Sequence, residues 1–171
     1  MNDWGPSIYG DPCRECSFPW TTPVADAISL VANLPFVYGE LLEGRSGREQ
    51  HPGLTWSVTG YVLHVGDNLR IWAERLMGVL GGAPHLVGSY DENDLADARS
   101  YKDIPIQAAM WSLTRSVDDW LRSVEVSPDS GVVMVHPVRG ELTLSDVVLS
   151  NAHDAMHHLW DIERTVRHLG P

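Results

Sequence analysis

The feature that most constrains the fold is a long helical pattern near the end of the chain, residues 145–169. Its apolar side chains recur at the spacing of one face of an α-helix, which predicts a helix packed against a core. Ser145 has the character of an N-cap, and Asp146 stands at the positive end of the helix dipole. The apolar stripe consists of Val148, Ala152, Ala155, Leu159, Ile162 and Val166.

Two histidines of this helix have the spacing of a metal site. His153 and His157 are four residues apart, so their Cβ atoms lie on one face about 5–6 Å apart. Both can then bind one metal ion, at about 2.0–2.1 Å for each Zn–N bond. His158 projects from the other flank of the stripe. Asp161 continues the row as a fourth ligand, as a carboxylate that orients a ring N–H, or as a solvated surface acid.

A third histidine stands on a second long helical pattern, residues 56–80, which Gly81 and Gly82 end. His64 flanks its apolar stripe, and flanking positions on neighbouring helices of a bundle can converge. Three neutral imidazoles leave coordination positions open, as in catalytic metal sites. Histidines placed by chance on amphipathic helices are the alternative. The stripe consists of Val58, Val62, Val65, Leu69, Trp72 and Leu76.

The remaining segments complete an all-α four-helix bundle with one longer crossover. Residues 1–22, rich in proline and glycine, predict an extended arm pinned by Trp4, Phe18 and Trp20. Pro35 breaks or kinks the helical region that follows the arm. The predicted elements are helices at 23–33 and 36–42, a polar loop at 44–54, an irregular acidic segment with a short helical turn at 83–103, a helix from 103–105 to about 124, and a β-hairpin with strands 132–135 and 141–144.

Length, composition and charge exclude several classes of protein. A chain of 171 residues, 43% of them hydrophobic, predicts one globular domain over residues 1–171. The formal charge of −11, with no block of Lys or Arg, argues against nucleic acid as a partner. No apolar run approaches the roughly 18–20 residues that span a bilayer, and no signal peptide pattern opens the chain. We therefore expect no membrane partner and a cytoplasmic location.

The two cysteines form a C-x-x-C pair, Cys13 and Cys16. Such a pair is half of a zinc site, a redox pair, or two reduced thiols without a function. No second C-x-x-C completes a four-sulfur site, and no βαβ pattern surrounds this one, as a thioredoxin-type motif requires.

Two motifs resemble those of the DinB-like superfamily. They are Tyr61-Val62-Leu63-His64-Val65-Gly66-Asp67 and His153-x-x-x-His157-His158-Leu159-Trp160-Asp161. The resemblance implies an up-down-down-up four-helix bundle that holds one divalent metal through three histidines, which correspond to His64, His153 and His157. His158 matches the second histidine of a doublet, which in that family is usually not a ligand. Cys13-x-x-Cys16-Ser17-Phe18 resembles one subgroup of the family.

The resemblance also implies a class of chemistry. Its members include thiol S-transferases that use bacillithiol or mycothiol, a mycothiol-dependent isomerase, and metal-dependent hydrolases. We expect a metal-dependent enzyme acting on a small molecule, a thiol S-transferase or isomerase in which the metal activates a thiol or a water. The alternatives are a metal-dependent hydrolase and a non-catalytic protein that binds a metal or metabolite. Zinc is favoured over nickel and iron, with a low-molecular-weight thiol as a cosubstrate.

Several further residues are candidates for this site. Asp67 is a candidate general base or outer carboxylate, with surface exposure as the alternative. Asn68, Arg75 and Trp160 are candidates for lining a substrate pocket. Tyr61 and Trp20 are further candidates for its walls, although core packing is the favoured role for each of these aromatic residues taken singly. Bundles of this kind often pair, so a homodimer is an open alternative.

Overall fold

The structure is a computed structural model that describes residues 4–127 and 131–169. Helices α4 (Val58–Leu80) and α6 (Ile106–Glu125) pack most extensively against each other, and α7 (Leu144–Leu169) packs on α2 (Val24–Ala32) and α4. The predicted all-α four-helix bundle is confirmed. The elements are α1 (Pro6–Tyr9), α2 (Val24–Ala32), α3 (Leu34–Leu41), α4 (Val58–Leu80), α5 (Glu92–Ala98), a 3-10 turn (Tyr101–Asp103), α6 (Ile106–Glu125), β1 (Val133–His136), β2 (Gly140–Thr143) and α7 (Leu144–Leu169).

Helix α4 is the central helix of the bundle. It begins after Ser57, whose hydroxyl oxygen accepts a hydrogen bond from the Gly60 N–H at 3.3 Å, as an N-cap does. Every residue of the predicted apolar stripe is buried, and so is every other residue between Val58 and Leu69. His64 and its neighbours therefore lie inside the bundle rather than on its edge.

The first bundle helix is bent, as the sequence predicted. Helices α2 and α3 meet at an angle of 46°. Pro35 lies in the first turn of α3, where its missing N–H costs nothing, so α3 begins at Leu34 and not at Phe36. Among the described residues, no single helix has both the length and the apolarity to cross a membrane; the bent α2–α3 pair meets that test by length and composition alone.

The N-terminal cap of α7 differs from the prediction. Thr143 caps the helix, because its N–H and hydroxyl donate to the Asp146 carboxylate at 2.8 and 2.6 Å, and the Asp146 N–H lies 3.2 Å from the hydroxyl. This reciprocal pairing is a capping box. Ser145 is therefore inside the first turn, and its assignment as N-cap was wrong.

The predicted β-hairpin is present between α6 and α7. Strands β1 and β2 pair antiparallel, with Val133 opposite Thr143 and His136 opposite Gly140. Its two strands lie within one residue of the predicted bounds. The hairpin leads directly into α7.

The N-terminal arm is folded, not extended. It contains α1 and a turn in which the Cys13 N–H donates to the Phe18 carbonyl at 2.8 Å. Phe18 and Trp20 are buried in the core, and the Trp4 ring centroid lies 6.2 Å from that of Trp20. The predicted pinning by aromatic residues is confirmed, and it brings Cys13 and Cys16 against α7.

Candidate metal centres

Helix α7 carries two rows of metal-binding side chains that face different neighbours. Successive residues of an α-helix are rotated by about 100°, so the row of residues 153 and 157 differs in direction from the row of 154 and 158. The first row meets the N-terminal arm and the second meets α4. Two sets of ligand atoms each lie within 4.8 Å of one another: one from His64, Asp154 and His158, the other from Cys13, Cys16, His153 and His157.

The three predicted metal ligands are therefore divided between two clusters. We call the set of His64, Asp154 and His158 the pocket cluster, and the set of Cys13, Cys16, His153 and His157 the arm cluster. In the pocket cluster, Nε2 of His64 lies 3.6 Å from Oδ1 of Asp154, and Nε2 of His158 lies 3.7 Å from the same oxygen. The two imidazole rings are 4.8 Å apart and perpendicular.

These distances suit a shared cation better than direct hydrogen bonds. Both exceed the ordinary range of about 2.7–3.2 Å for a hydrogen bond from nitrogen to oxygen. Two imidazole nitrogens and one carboxylate oxygen nevertheless approach one another closely. Two histidines with one carboxylate form a recognised ligand set of catalytic zinc and of non-haem iron.

Asp161 fixes the ring of His158. Its Oδ2 atom lies 3.1 Å from Nδ1 of His158, and its Oδ1 atom lies 3.4 Å from Nη1 of Arg164. A carboxylate on one ring nitrogen leaves the other available and makes it a more basic metal ligand. The predicted role of Asp161 in orienting a ring N–H is therefore seen on His158, not on His153 or His157.

The electrostatics of the pocket cluster keep Asp154 ionised. Burial alone raises the pKa of this carboxyl, but His64, His158 and His153 together outweigh burial and lower the pKa to about 2. Burial likewise lowers the pKa of His64, and the Asp154 charge outweighs it, so the pKa of His64 is raised overall. Asp154 is thus anionic at neutral pH and able to bind a cation. Asp154 was not predicted from the sequence, because the i, i+4 spacing of His153 and His157 on either side of it indicated those two residues as the ligands.

The pocket cluster opens into a cavity of about 390 Å³. This cavity is also lined by His153 and His157, so all three predicted ligands border it. Arg75 and Arg139 contribute positive charge to the lining. The Arg75 guanidinium lies 4.5 Å from the centroid of the Trp72 ring and donates to the Gly88 carbonyl, so it lines the cavity as predicted. A cavity of this size fits a small molecule, and its arginines can bind an acidic group of that molecule although Asp154 and Glu92 also line the cavity.

His136 is a second site residue that sequence reasoning missed. It is the last residue of β1 and lines the cavity. Its Nδ1 atom accepts hydrogen bonds from the N–H groups of Val138 and Arg139 at 3.3 and 3.2 Å. The proton of the neutral ring is therefore on Nε2. Burial, with Arg139 and Arg75 nearby, lowers the pKa of His136, which keeps the ring neutral at pH 7.

Asp67 is placed away from the cavity. It is 2% exposed, so surface exposure was the wrong alternative. Its carboxylate accepts hydrogen bonds from the Tyr101 hydroxyl and from Arg99, and Arg70 lies 3.4 Å away. Tyr101 comes from the 3-10 turn and Arg99 from the end of α5, and together they occupy both oxygens. Asp67 therefore joins α4 to the following segment and does not line the cavity as a base.

The predicted pocket residues have different positions. Asn68 lines the cavity, and its Oδ1 accepts from the Asn151 amide at 2.7 Å. Asn151 in turn accepts from the Trp120 indole N–H at 2.9 Å, which anchors this wall in the core.

Trp160 is not part of the cavity lining. Its ring centroid lies 5.7 Å from that of His157 and 4.4 Å from the Arg164 guanidinium. Tyr61 contacts the His158 ring at 5.1 Å.

Comparison with known proteins identifies similar folds. The family model described as the DinB superfamily matches residues 40–162. The structure of YfiT from Bacillus subtilis, described as a probable metal-dependent hydrolase with an unusual four-helix bundle topology, superposes with a TM-score of 0.75. The two chains are 18% identical over 86% of this chain and 87% of that one. No curated protein matches. The likeness to YfiT shows the shared fold.

Proposed function

Because the chain belongs to the DinB superfamily, we propose that it is a metal-dependent enzyme acting on a small anionic molecule. The metal is held by the pocket cluster. The observation that carries the proposal is the approach of two imidazole Nε2 atoms to one ionised carboxylate oxygen, at 3.6 and 3.7 Å, on the wall of a cavity. A divalent metal at this position lowers the pKa of a bound water or thiol and so supplies a nucleophile at neutral pH.

This ligand set differs from the predicted one in two of its three members. The His153 ring contacts those of Tyr9 and Trp20, each with its centroid 4.6 Å away. His157 faces Cys13, with 3.8 Å between Nδ1 and Sγ. Both predicted ligands are thus engaged by the N-terminal arm. We favour His158, because its Nε2 atom and that of His64 approach the same oxygen.

The other residues of the cavity bind and orient the substrate. Arg75 and Arg139 bind its anionic group, since a guanidinium offers a fork of donors to a carboxylate or phosphate. His136 donates its Nε2–H to a substrate oxygen on which negative charge develops. Its low pKa keeps it neutral, so it donates without adding a positive charge beside the metal site.

Water is the first candidate for the nucleophile. YfiT, which shares the fold, is described as a probable metal-dependent hydrolase, and two histidines with one carboxylate are typical of hydrolytic zinc sites. A thiol is the second candidate, as the predicted S-transferase or isomerase requires. It is supported by the cavity of about 390 Å³, which offers arginines for the carboxylates of a low-molecular-weight thiol.

The experiment is a turnover screen of the full chain loaded with Zn²⁺, Ni²⁺ or Fe²⁺. Carboxylate- and phosphate-bearing esters, amides and electrophiles are tested with and without a thiol. Product formed without thiol indicates hydrolysis, and product formed only with thiol indicates transfer or isomerisation. A metal-loaded protein that turns over none of these compounds, with or without thiol, contradicts the enzyme proposal. The remaining interpretation is then a protein that binds a metal or metabolite without catalysis.

Matched variants decide which histidines hold the catalytic metal. We expect His64→Ala, Asp154→Asn and His158→Ala each to abolish turnover and to release one equivalent of metal. The predicted three-histidine set requires the opposite for His158→Ala, which would then keep its metal and its activity. Arg139→Gln raises KM for the anionic substrate with little change in kcat, and Arg115→Gln, on an exposed pair with Asp118, changes neither.

A further inference from the structure

We propose that the arm cluster is a second metal site, a closed zinc centre that fastens the N-terminal arm to α7. Cys13, Cys16, His153 and His157 are its four ligands. The ligand atoms all lie within 4.8 Å of one another. The proposal does not depend on the proposed activity, because the pocket cluster uses none of these four side chains.

The spacing of the ligands is that of a tetrahedral zinc site. Sγ of Cys13 lies 3.8 Å from Nδ1 of His157. A sulfur and a nitrogen bound tetrahedrally to one zinc ion, at about 2.3 and 2.05 Å, lie about 3.6 Å apart. Two cysteines and two histidines are a usual ligand set for structural zinc, and they leave no open coordination position.

Local structure explains why the four side chains converge. The turn closed by the Cys13 N–H and the Phe18 carbonyl brings the two thiols of the C-x-x-C pair to one side. His153 and His157 are one helical turn apart on α7, with ring centroids 5.4 Å apart. The rings of Phe18 and Trp20 contact the His153 ring, with centroid distances of 5.7 and 4.6 Å. These contacts hold the arm against the side of α7 that carries His153 and His157.

His153 carries an independent sign of a missing ligand. Its side chain is buried, at 5% exposure, and its Nε2 atom has no hydrogen-bond partner among the described residues. A buried polar nitrogen without a partner costs about 1–3 kcal/mol, and such atoms are rare in folded proteins. A metal bound at this nitrogen supplies the missing partner.

His157 has the environment of a zinc-bound imidazole. While Nδ1 faces Cys13, Nε2 lies 3.3 Å from Oε2 of Glu15. A carboxylate on the second ring nitrogen is the usual outer contact of a zinc-bound histidine. Glu15 stands inside the C-x-x-C pair itself, so the same turn supplies two sulfur ligands and the carboxylate that orients a third.

The charges of the four ligands match a divalent cation. Zinc displaces thiol protons on binding, so Cys13 and Cys16 would bind as thiolates. Two thiolates and two neutral imidazoles then balance the charge of one Zn²⁺.

The test is cobalt(II) titration of the reduced full chain, followed by optical absorption. We expect an intense sulfur-to-cobalt charge-transfer band, with the visible absorption of tetrahedral cobalt, that saturates at one equivalent. The Cys13→Ser/Cys16→Ser double variant lacks the band. His64→Ala keeps it, because that variant removes only the pocket cluster. A wild-type protein without the band, or a double variant that retains it, overturns the proposal.

X-ray absorption of zinc-loaded His64→Ala protein provides a measurement that requires no cysteine variant. With the pocket cluster disabled, we expect a zinc shell of two sulfur and two imidazole nitrogen neighbours. A shell of nitrogen and oxygen alone overturns the proposal. Failure of the proposed activity has a different signature, since it leaves the cobalt–thiolate band and the sulfur shell intact.

Discussion

Nδ1 of His158 lies 3.1 Å from Oδ2 of Asp161, one turn further along α7, and this carboxylate is 4% exposed. The pairing gives the second histidine of the doublet the orientation that a metal ligand requires. Its Nε2 atom is then directed to the oxygen that His64 approaches from α4. The contact distinguishes His158 from His157, whose corresponding partner is Glu15 on the arm.

Loss of this contact should weaken metal binding at the pocket cluster. We expect Asp161→Asn to lower the affinity about 10–100-fold, the usual effect of removing an outer carboxylate from a metal-bound histidine. Chelator competition on the metal-loaded protein measures it. Arg164→Gln, which alters the other oxygen of Asp161, serves as the control and should change affinity little. Unchanged affinity in Asp161→Asn would show that His158 does not bind the metal.

Asp67 should matter for stability and not for metal content. We expect Asp67→Asn to lower the free energy of unfolding by about 1–3 kcal/mol, because charge-assisted hydrogen bonds to a buried carboxylate are lost. Urea unfolding measures this, and metal analysis should give the wild-type value. Glu74→Gln, which removes an exposed partner of Arg70, should cost less than about 1 kcal/mol. Loss of metal in Asp67→Asn would instead support the role near the metal that the sequence predicted for Asp67.

His136 should make the stability of the metal-free protein depend on pH. Its pKa in the folded chain lies below the ordinary 6.5, so the unfolded chain binds the proton more tightly. The stability that the neutral His136 ring contributes is fully present above pH 6.5 and is lost as the pH falls through the pKa of the folded state. Since His136→Asn removes it, the stability difference between wild type and variant should shrink from pH 7 to pH 5. Urea unfolding at several pH values tests this, and a constant difference contradicts it.

The start of α7 should depend on Thr143. We expect Thr143→Ala to cost about 1 kcal/mol of stability, because it removes one half of the capping box with Asp146. Ser145→Ala, the matched control inside the first turn, should cost less than half as much. Thermal or urea unfolding distinguishes the two. A larger loss of stability in Ser145→Ala than in Thr143→Ala would show that Ser145 is the N-cap, as the sequence indicated.

The helices and most of the core could be predicted because they depend on local patterns. The stripe of α4, the bend at Pro35 and the hairpin before α7 each follow from spacing and from the chemistry of single residues. The cap at Thr143 could not be distinguished from one at Ser145, since both side chains are hydroxyls. The arm was misjudged because prolines and glycines indicate turns but do not reveal how those turns pack.

The ligand sets were harder to predict because they depend on the rotation of α7 relative to its neighbours. The i, i+4 rule pairs His153 with His157 and pairs Asp154 with His158 equally well. Which row faces His64 is decided by tertiary packing. Cys13 and Cys16 are more than 130 residues away in the chain from the histidines they approach, and no local pattern encodes such a contact.

The His153 ring contacts both Tyr9 and Trp20, and this has a mechanical consequence for the neighbouring row of α7, Asp154 and His158. Rotating a helix by about 10° moves a side-chain tip at a radius of about 5–6 Å by about 1 Å. Displacements of that size can cost about a hundredfold in rate when they misalign a catalytic group. We therefore expect the aromatic contacts of the arm to restrain the rotation of α7 and so to maintain the alignment of Asp154 and His158.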